Sequence, residues 1–296
     1  MAGHESGQMT FMEEGMGLRI NTNVPSLTAQ RNLRANRSSL DKNLEKLSSG
    51  SRINRAGDDA AGLAISESLR AQIRGISQAE RNAQDGISMV QVAEGALSEV
   101  SNLLIRMREL AVQAASDTVG PNERRFLDVE YRQAMQEIDR IANSTEYNGV
   151  KLLNGSAPVF EIQIGTKNNP LIDRVQLFDS SATDSNVVSL GINLTSMSDK
   201  ASAQNSLGAI DGALSQVNKV RAEFGAVQNR LQSVINNIMV SRENLSAANS
   251  RIRDTDLAEE ISDLTKNQIL MQAGVSVLSQ ANSAMKSTLS LLGVNG

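Results

Sequence analysis

Few side chains in this chain of 296 residues are suited to chemistry. His4 is its single histidine and it has no cysteine. A catalytic or metal-ligating His4 would therefore lack a second imidazole or a thiolate as partner. The neighbouring carboxylates Asp58 and Asp59 could bind a metal ion, but a helix start or a polar subunit contact explains them more simply. We predict no catalytic, cofactor or metal site.

Other signatures of chemistry are also missing from the sequence. Gly62, Gly75 and Gly86 stand singly within helical pattern and do not form a phosphate-binding loop. No GxSxG nucleophile motif occurs. The net charge of −4 gives no strong attraction to nucleic acid or to an anionic membrane. No apolar run is long enough to span a bilayer. These features favour a structural or interaction protein over an enzyme.

The most informative pattern is an apolar residue at every seventh position near each end of the chain. A seven-residue step is typical of a helix that buries one narrow seam against partner helices. We predict that these nine residues, here called the seam, form contacts between subunits of an assembly. The seam consists of Leu33, Leu40, Leu47, Leu257, Leu264, Met271, Leu278, Met285 and Leu292.

Helices must position this seam, and the sequence leaves long spans open to them. Only four prolines occur and aromatic residues make up 2% of the chain, so thin apolar layers between helices must form the core. In the third helix we expect Phe126, Val129, Met135, Ile138 and Ile141 to point inward. The helical pattern covers residues 26–50, 58–115, 122–143, 201–253 and 256–292, and two Asn-Gly hairpin signals predict a β-rich patch within 145–195.

The predicted fold is mainly α, with long antiparallel helices that form a coiled-coil-like rod and a small β-hairpin region in the middle. Antiparallel pairing of 58–115 with 205–252 would bring both chain ends together. The helices 26–48 and 256–292 would then pair with each other. We predict a flexible leader (1–16), a terminal coiled-coil domain (17–50 with 254–296) and a core rod domain (51–253).

Specific motifs at both ends resemble those of bacterial flagellins. Residues 47–54 read LSSGSRIN and 58–62 read DDAAG, while INTN precedes the first helix at 20–23. Near the other end, QAGVSVLSQAN at 272–282 and LSLL at 289–292 resemble the close of that family. The resemblance covers about 17–155 and 203–296. It indicates a short form of the family, without inserted outer domains.

The resemblance implies a structural subunit that self-assembles into the helical flagellar filament for swimming motility. Both termini would form an inner coiled-coil layer. The subunit would be secreted through the type III export channel of the flagellum, without a signal peptide, and would reside in the extracellular filament. The implied partners are further copies of the chain, a flagellar export chaperone, and the filament cap and hook–filament junction proteins. No cofactor is implied.

The resemblance also reaches a segment that an animal innate-immune flagellin receptor binds. By that resemblance Arg106 and Leu110 are contacts of the receptor, and Glu130 is a lesser one. Ile105 departs from the glutamine usual at this place in receptor-activating flagellins. Packing between subunits is the alternative role of the same residues.

Two other functions stay open at this stage. A hook–filament junction protein shares the terminal helices but would not polymerise on filament seeds. An exported coiled-coil adaptor or effector would stop at a small oligomer, so that sedimentation at rising concentration separates it from a filament subunit.

Overall fold

The computed structural model describes residues 22–156, 159–179 and 183–291, with side chains described as far as residue 287. The predicted leader 1–16, His4 and Leu292 lie outside these residues. Five helices are present in the described ranges, and the mainly α fold is confirmed. The helices are α1 (Val24–Ser49), α2 (Ala60–Ala114), α3 (Pro121–Ser144), α4 (Lys200–Arg253) and α5 (Leu257–Leu291).

Two small antiparallel hairpins form the β region between α3 and α4. The first joins β1 (Glu146–Tyr147) to β2 (Val150–Lys151). Its turn residues have positive φ, at 50° for Asn148 and 78° for Gly149, the conformation that a two-residue hairpin loop requires. The second hairpin joins β3 (Phe160–Gln163) to β4 (Arg174–Phe178). Both lie within the predicted span.

Local side-chain bonds explain where the first helices begin and end. The Asn23 side chain accepts a hydrogen bond from the Ser26 amide at 3.0 Å and caps the start of α1. Gly50, with φ 67°, ends α1 in the left-handed conformation. Asp59 accepts from the Gly62 amide at 2.8 Å at the start of α2. Hydrogen bonds from the Arg55 and Asn54 amides lower the pKa of Asp58. The two carboxylates thus serve the helix start, as predicted.

The described chain divides into two compact units. Residues up to Ala64 and from Arg251 onward form the first unit, and Ile65–Ser250 forms the second. The second unit contains the main apolar core. Two rows of α2 with a seven-residue step, from Ala83 to Ala111 and from Ala79 to Ala114, lie in this unit, and their members are buried.

Within the second unit, α2 and α4 run antiparallel, as predicted. The residue numbers of their polar contacts fall on one helix as they rise on the other, which fixes the opposite directions of the two helices. The apolar row of α4 from Ile210 to Leu231 is buried between these contacts. The contacts join Glu80 to Arg242, Glu94 to Gln228 and Arg108 to Asp211.

An aromatic row attaches the second hairpin to α4. The ring centroids of Phe160 and Phe178 are 4.8 Å apart, and those of Phe178 and Phe224 are 5.0 Å apart. Phe224 is fully buried. Gly86 of α2 faces the same hairpin, because a Cβ built on it would lie 3.2 Å from Ile162. Three of the five phenylalanines therefore pack together where this hairpin contacts α4.

The predicted inward face of α3 is partly wrong. Phe126 is 75% exposed and Val129 is 56% exposed, although Ile138 is buried as expected. Apolar residues occur on two sides of α3, and the side with the small residues Ala134 and Ala142 faces the core because it allows closer packing. The buried face is Tyr131, Ala134, Ile138 and Ala142.

Candidate functional site

The two terminal helices pack against each other within the first unit, as the sequence predicted. Their contacts are antiparallel: Asn23 at the start of α1 donates to the Ala281 carbonyl at 3.2 Å, and Lys46 near its end pairs with Glu260. Most seam residues lie half-buried along this pairing. They are Leu33, Leu40 and Leu47 on α1 and Leu264, Met271, Leu278 and Met285 on α5.

The seam thus receives part of its cover from the same chain, but Leu257 does not. Leu257 is 56% exposed. Since Lys46 lies opposite Glu260, a residue three positions earlier on α5 faces the end of α1, where Gly50 supplies no side chain. Leu257 therefore has no helical partner in α1.

A second row of seven-step positions, three residues from the seam, completes the contact between α1 and α5. Sequence reasoning missed it because its members are small or polar. Small residues let the helices approach: a Cβ built on Gly274 would lie 2.7 Å from the Leu33 side chain. The same spacing of seven would have identified the row, which consists of Ala29, Asn36 and Asn43 on α1 and Glu260, Asn267, Gly274 and Ala281 on α5.

Four of the residues in this contact form a polar layer, defined here as Asn43, Lys46, Glu260 and Asn267. Asn43 and Glu260 are each 7% exposed. With its amide nitrogen toward α5, Asn43 donates to Glu260 Oε1 at 3.0 Å and accepts from Asn267 Nδ2 at 3.2 Å. Lys46 Nζ donates to Glu260 Oε2 at 3.3 Å. Each buried polar group of this layer therefore has a partner, and a shift in the register of the helices would break these bonds.

Backbone bonds tie the segment after α1 to the segment before α5. The Arg52 amide donates to the Arg253 carbonyl at 2.6 Å, and the Thr255 amide donates to the Gly50 carbonyl at 3.1 Å. Ser51 and Asp254 form an antiparallel bridge between these bonds. These bonds hold the end of α1 next to the start of α5.

Large apolar side chains remain exposed on the sides of the terminal helices that the pairing does not cover. Their exposed fractions range from 41% to 59%. On α5 they occupy several sides of the helix, a distribution typical of a helix that is buried all round. This set, called the outer apolar set, consists of Val24, Leu27 and Leu44 on α1 and Leu257, Ile261, Ile269, Leu270, Val275 and Val277 on α5.

The three residues assigned to receptor contact lie in different surroundings. The Arg106 guanidinium, exposed at the surface, bridges Glu130 at 2.7 Å and Glu109 at 3.0 Å. Hydrogen bonds to these two carboxylates, Glu130 first, raise the pKa of Arg106. Leu110, by contrast, is 1% exposed and belongs to the core. Its side chain is therefore not accessible to a partner, unlike those of Arg106 and Glu130.

The residues that the structure describes include no group of three or more acidic or histidine side chains placed to hold a metal ion. No described helix is both long and apolar enough to cross a membrane.

Comparison with known proteins gives this arrangement its context. The helical region at the N-terminus of bacterial flagellin matches residues 20–157, and the helical region at its C-terminus matches residues 207–292. The chain belongs to the bacterial flagellin family. It is therefore a structural subunit of the extracellular flagellar filament, which polymerises with copies of itself and associates with other flagellar components.

Relatives of similar length support this assignment. The flagellin of Halalkalibacterium halodurans is 45% identical over 273 residues, covering 92% of this chain and 99% of the relative. The Bacillus subtilis flagellin is 44% identical, with 93% and 100% covered. A flagellar filament 33 kDa core protein of Treponema phagedenis is 44% identical, with 92% and 99% covered. The prediction of a short flagellin is confirmed.

Solved structures resemble parts of the chain. A flagellin of Bacillus cereus is 35% identical, with a TM-score of 0.47, over 57% of this chain and 94% of that one. A putative flagellar hook-associated protein of Vibrio parahaemolyticus is 15% identical, with a TM-score of 0.54, over 67% of this chain and 100% of that one. At that identity the second likeness indicates a shared fold alone.

Proposed function

We propose that the outer apolar set on α5 binds neighbouring copies of the chain in the filament. The observation that carries this proposal is the exposure of Leu257, Ile261 and Val275 on sides of α5 that α1 does not cover. The half-buried seam keeps part of its apolar area exposed and would be completed by the same neighbours. Burying apolar surface provides about 25 cal/mol per Å², so a helix that is covered all round contributes strongly to assembly.

A substitution pair at Val275 tests this proposal. Val275→Asp places a charge in the proposed contact, which costs several kcal/mol when no partner is present, and it should prevent polymerisation on filament seeds. Val275→Ile keeps an apolar side chain of similar shape and should polymerise. Electron microscopy and sedimentation measure both outcomes. Normal filaments from Val275→Asp would reject the proposed contact.

The seam requires a second measurement, because its residues also hold α1 against α5. Leu278→Asp should abolish polymerisation while Ile65–Ser250 stays folded, as circular dichroism can report. Amide hydrogen exchange over α1 then separates loss of the helix pair from loss of subunit contacts. A Leu278→Asp variant that polymerises normally would remove the seam from the proposal.

The terminal unit supplies the inner filament layer in this proposal. Its helices carry the outer apolar set, whereas the second unit has an apolar core of its own. The domain organisation expected from the sequence (leader 1–16, terminal domain 17–50 with 254–296, core domain 51–253) remains part of the proposal. Limited proteolysis of the monomer tests it, since a separate core domain should survive as one fragment.

An export chaperone would bind α5 before the subunit leaves the cell. The exposed apolar residues of α5 support this part, because they would otherwise promote association in the cytoplasm. The filament cap and the hook–filament junction proteins are further proposed partners. Co-purification of the chaperone with the full chain, and its loss in a variant truncated before α5, tests the first contact.

Contact with the innate-immune receptor is proposed for Arg106 and Glu130, whose side chains share one exposed ion-paired surface. Leu110 would act through the packing of α2. Arg106→Ala should reduce activation of receptor-bearing cells. Arg140→Ala provides a matched control, since Arg140 forms an exposed pair with Glu137 on α3. Equal activation by both variants would exclude this surface.

We infer further that the role is structural and not catalytic, in line with the family. Long tubes of purified protein in electron micrographs would support the filament subunit over the junction protein and the soluble adaptor. A small oligomer that stops growing with concentration would instead favour the adaptor.

A further inference from the structure

Two Asn-Gly pairs lie six residues apart, in surroundings that differ sharply. They are Asn148-Gly149 and Asn154-Gly155. An asparagine side chain that precedes glycine is open to attack by the backbone nitrogen of that glycine, because glycine has no Cβ to hinder the approach. The two pairs therefore share the same intrinsic reactivity, and any difference between them in the folded protein must come from the structure.

Asn148 lies in the open two-residue turn between β1 and β2. Both Asn148 and Gly149 are exposed, and nothing lies within 4 Å of the position that a Gly149 Cβ would occupy. No described residue forms a hydrogen bond with the Asn148 side chain, so its amide is free to rotate toward the following nitrogen. The pairing of Tyr147 with Val150 closes the turn and leaves the Gly149 amide outside the ladder.

Asn154 is held in place. Its Oδ1 accepts hydrogen bonds from the Ser156 amide at 3.1 Å and from Ser156 Oγ at 2.6 Å. The Asp184 carboxylate lies 3.0 Å from the position of a Gly155 Cβ and crowds the other side. Asn154 itself is half-buried. Rotation of its amide would break both bonds to Ser156.

We propose that Asn148 is a site of spontaneous deamidation and that the fold protects Asn154 from the same reaction. The Gly149 nitrogen loses its proton to solvent and attacks Cγ of Asn148. A C–N bond forms, the C–N bond to the side-chain amide breaks, and ammonia leaves with that proton. Water then opens either carbonyl of the resulting succinimide and yields aspartate or isoaspartate at position 148. No oxidant or reductant takes part.

The modification alters a turn whose geometry depends on its length. Isoaspartate adds one methylene to the backbone of a two-residue loop, and loop length sets the register of a hairpin. The ladder continues beyond β2, where the Leu152 amide donates to the Thr145 carbonyl at 3.2 Å. Leu152 and Leu153 are fully buried, so the altered turn lies next to the core.

Trypsin separates the two sites cleanly, which makes the comparison direct. Cleavage after Arg140, Lys151 and Lys167 places Asn148 in the peptide 141–151 and Asn154 in the peptide 152–167. The full-length folded protein is aged in mildly alkaline buffer, and mass spectrometry follows the conversion of amide to acid. We expect several-fold more deamidation at Asn148 than at Asn154. Fragment ions distinguish Asn148 from Asn143, whose amide donates to the Asp139 carbonyl at 2.8 Å.

Two controls make the structural cause testable. In urea both sites should react at similar rates, because unfolding removes the bonds to Ser156. In the folded Ser156→Ala variant, deamidation at Asn154 should rise while Asn148 is unchanged. Equal rates at the two sites in the folded protein, or an undiminished difference in urea, would overturn the proposal. So would a folded protein in which Asn148 stays intact.

Discussion

Glu260→Ala tests whether the polar layer stabilises the pairing of the terminal helices. The substitution removes the acceptor of two contacts, one from Asn43 at 3.0 Å and one from Lys46 at 3.3 Å. The Lys46 side chain is 31% exposed, so its ion pair contributes only about 0–1 kcal/mol. Asn43 is buried and would keep an unsatisfied donor, which costs about 1–3 kcal/mol. The helix pairing should lose about 1–4 kcal/mol in total.

Amide hydrogen exchange in α1 is the suitable assay, because it reports the local opening of the helix pair and not global unfolding of both units. A loss of about 1–4 kcal/mol raises exchange through opening by about 5- to 700-fold. Glu259→Ala is the matched control, since Glu259 is exposed and carries the same charge in the first turn of α5. Both variants alter the helix dipole interaction equally.

Glu260→Gln separates the two contacts of this side chain. It retains an acceptor for the Asn43 amide but removes the charge that pairs with Lys46, so its effect should be the smaller. An exchange rate in Glu260→Ala no higher than in Glu259→Ala would refute the reasoning, since it would mean that the polar layer adds nothing to the pairing. A large effect in Glu260→Gln would instead assign the stabilisation to the ion pair.

Three further predictions concern the second unit. Phe224→Ala should destabilise the second unit by about 3–5 kcal/mol in urea unfolding, because the ring is fully buried against Phe178. Phe224→Leu should cost clearly less. Similar losses in the two variants would contradict a role for the aromatic row. Gly165→Ala should lower the stability of the second unit by about 1–3 kcal/mol and speed proteolysis of the β3–β4 loop, since a Cβ there would clash with the buried carboxylate of Asp173. An unchanged rate of cleavage would argue against that clash. Burial raises the pKa of Asp128, but hydrogen bonds from the Met197 amide, Arg132 and Ser196 outweigh it, so that the pKa lies below its usual value. The contribution of Asp128 to stability is therefore complete above the unfolded pKa of about 3.9 and is lost as the pH falls through the lower folded value. Asp128→Asn should flatten the acid side of the curve of stability against pH. An unaltered curve would count against this contribution.

The long helices could be predicted because local and global signals agree in them. The rows of α2 and α4 repeat every seven residues over many turns, and the α2 rows from Ala79 and Ala83 are buried within the second unit. Proline-free spans and the glycine at position 50 set the approximate bounds. Structure is easiest to predict from sequence where local propensity and long-range packing favour the same arrangement.

The errors arose where burial did not follow apolar character. Phe126 is apolar and exposed, whereas Glu260 and Asn43 are polar and buried. A single helix pattern indicates which residues share a face, but the partner decides which face is covered. Leu257 continues the seven-residue repeat past the point at which α1 ends, so α1 does not cover it.

The site was predictable in kind but not in detail. The heptads of α1 and α5 indicated contacts between helices, and the structure pairs the two helices within one chain. The row of small and polar residues was overlooked, since a search for apolar repeats ignores Gly274 and Asn267. Leu110 was assigned to receptor contact by resemblance, and the sequence did not indicate that its side chain is only 1% exposed.

The placement of the two tyrosines has an optical consequence. Tyr131, whose hydroxyl lies 2.6 Å from Thr195 Oγ1, and Tyr147 in β1 both belong to the second unit, and the chain contains no tryptophan. Ultraviolet emission from the native protein therefore originates outside the terminal helices. A single tryptophan introduced at the exposed position Ile269 could be excited at wavelengths that tyrosine does not absorb, and its emission wavelength would report the burial of α5.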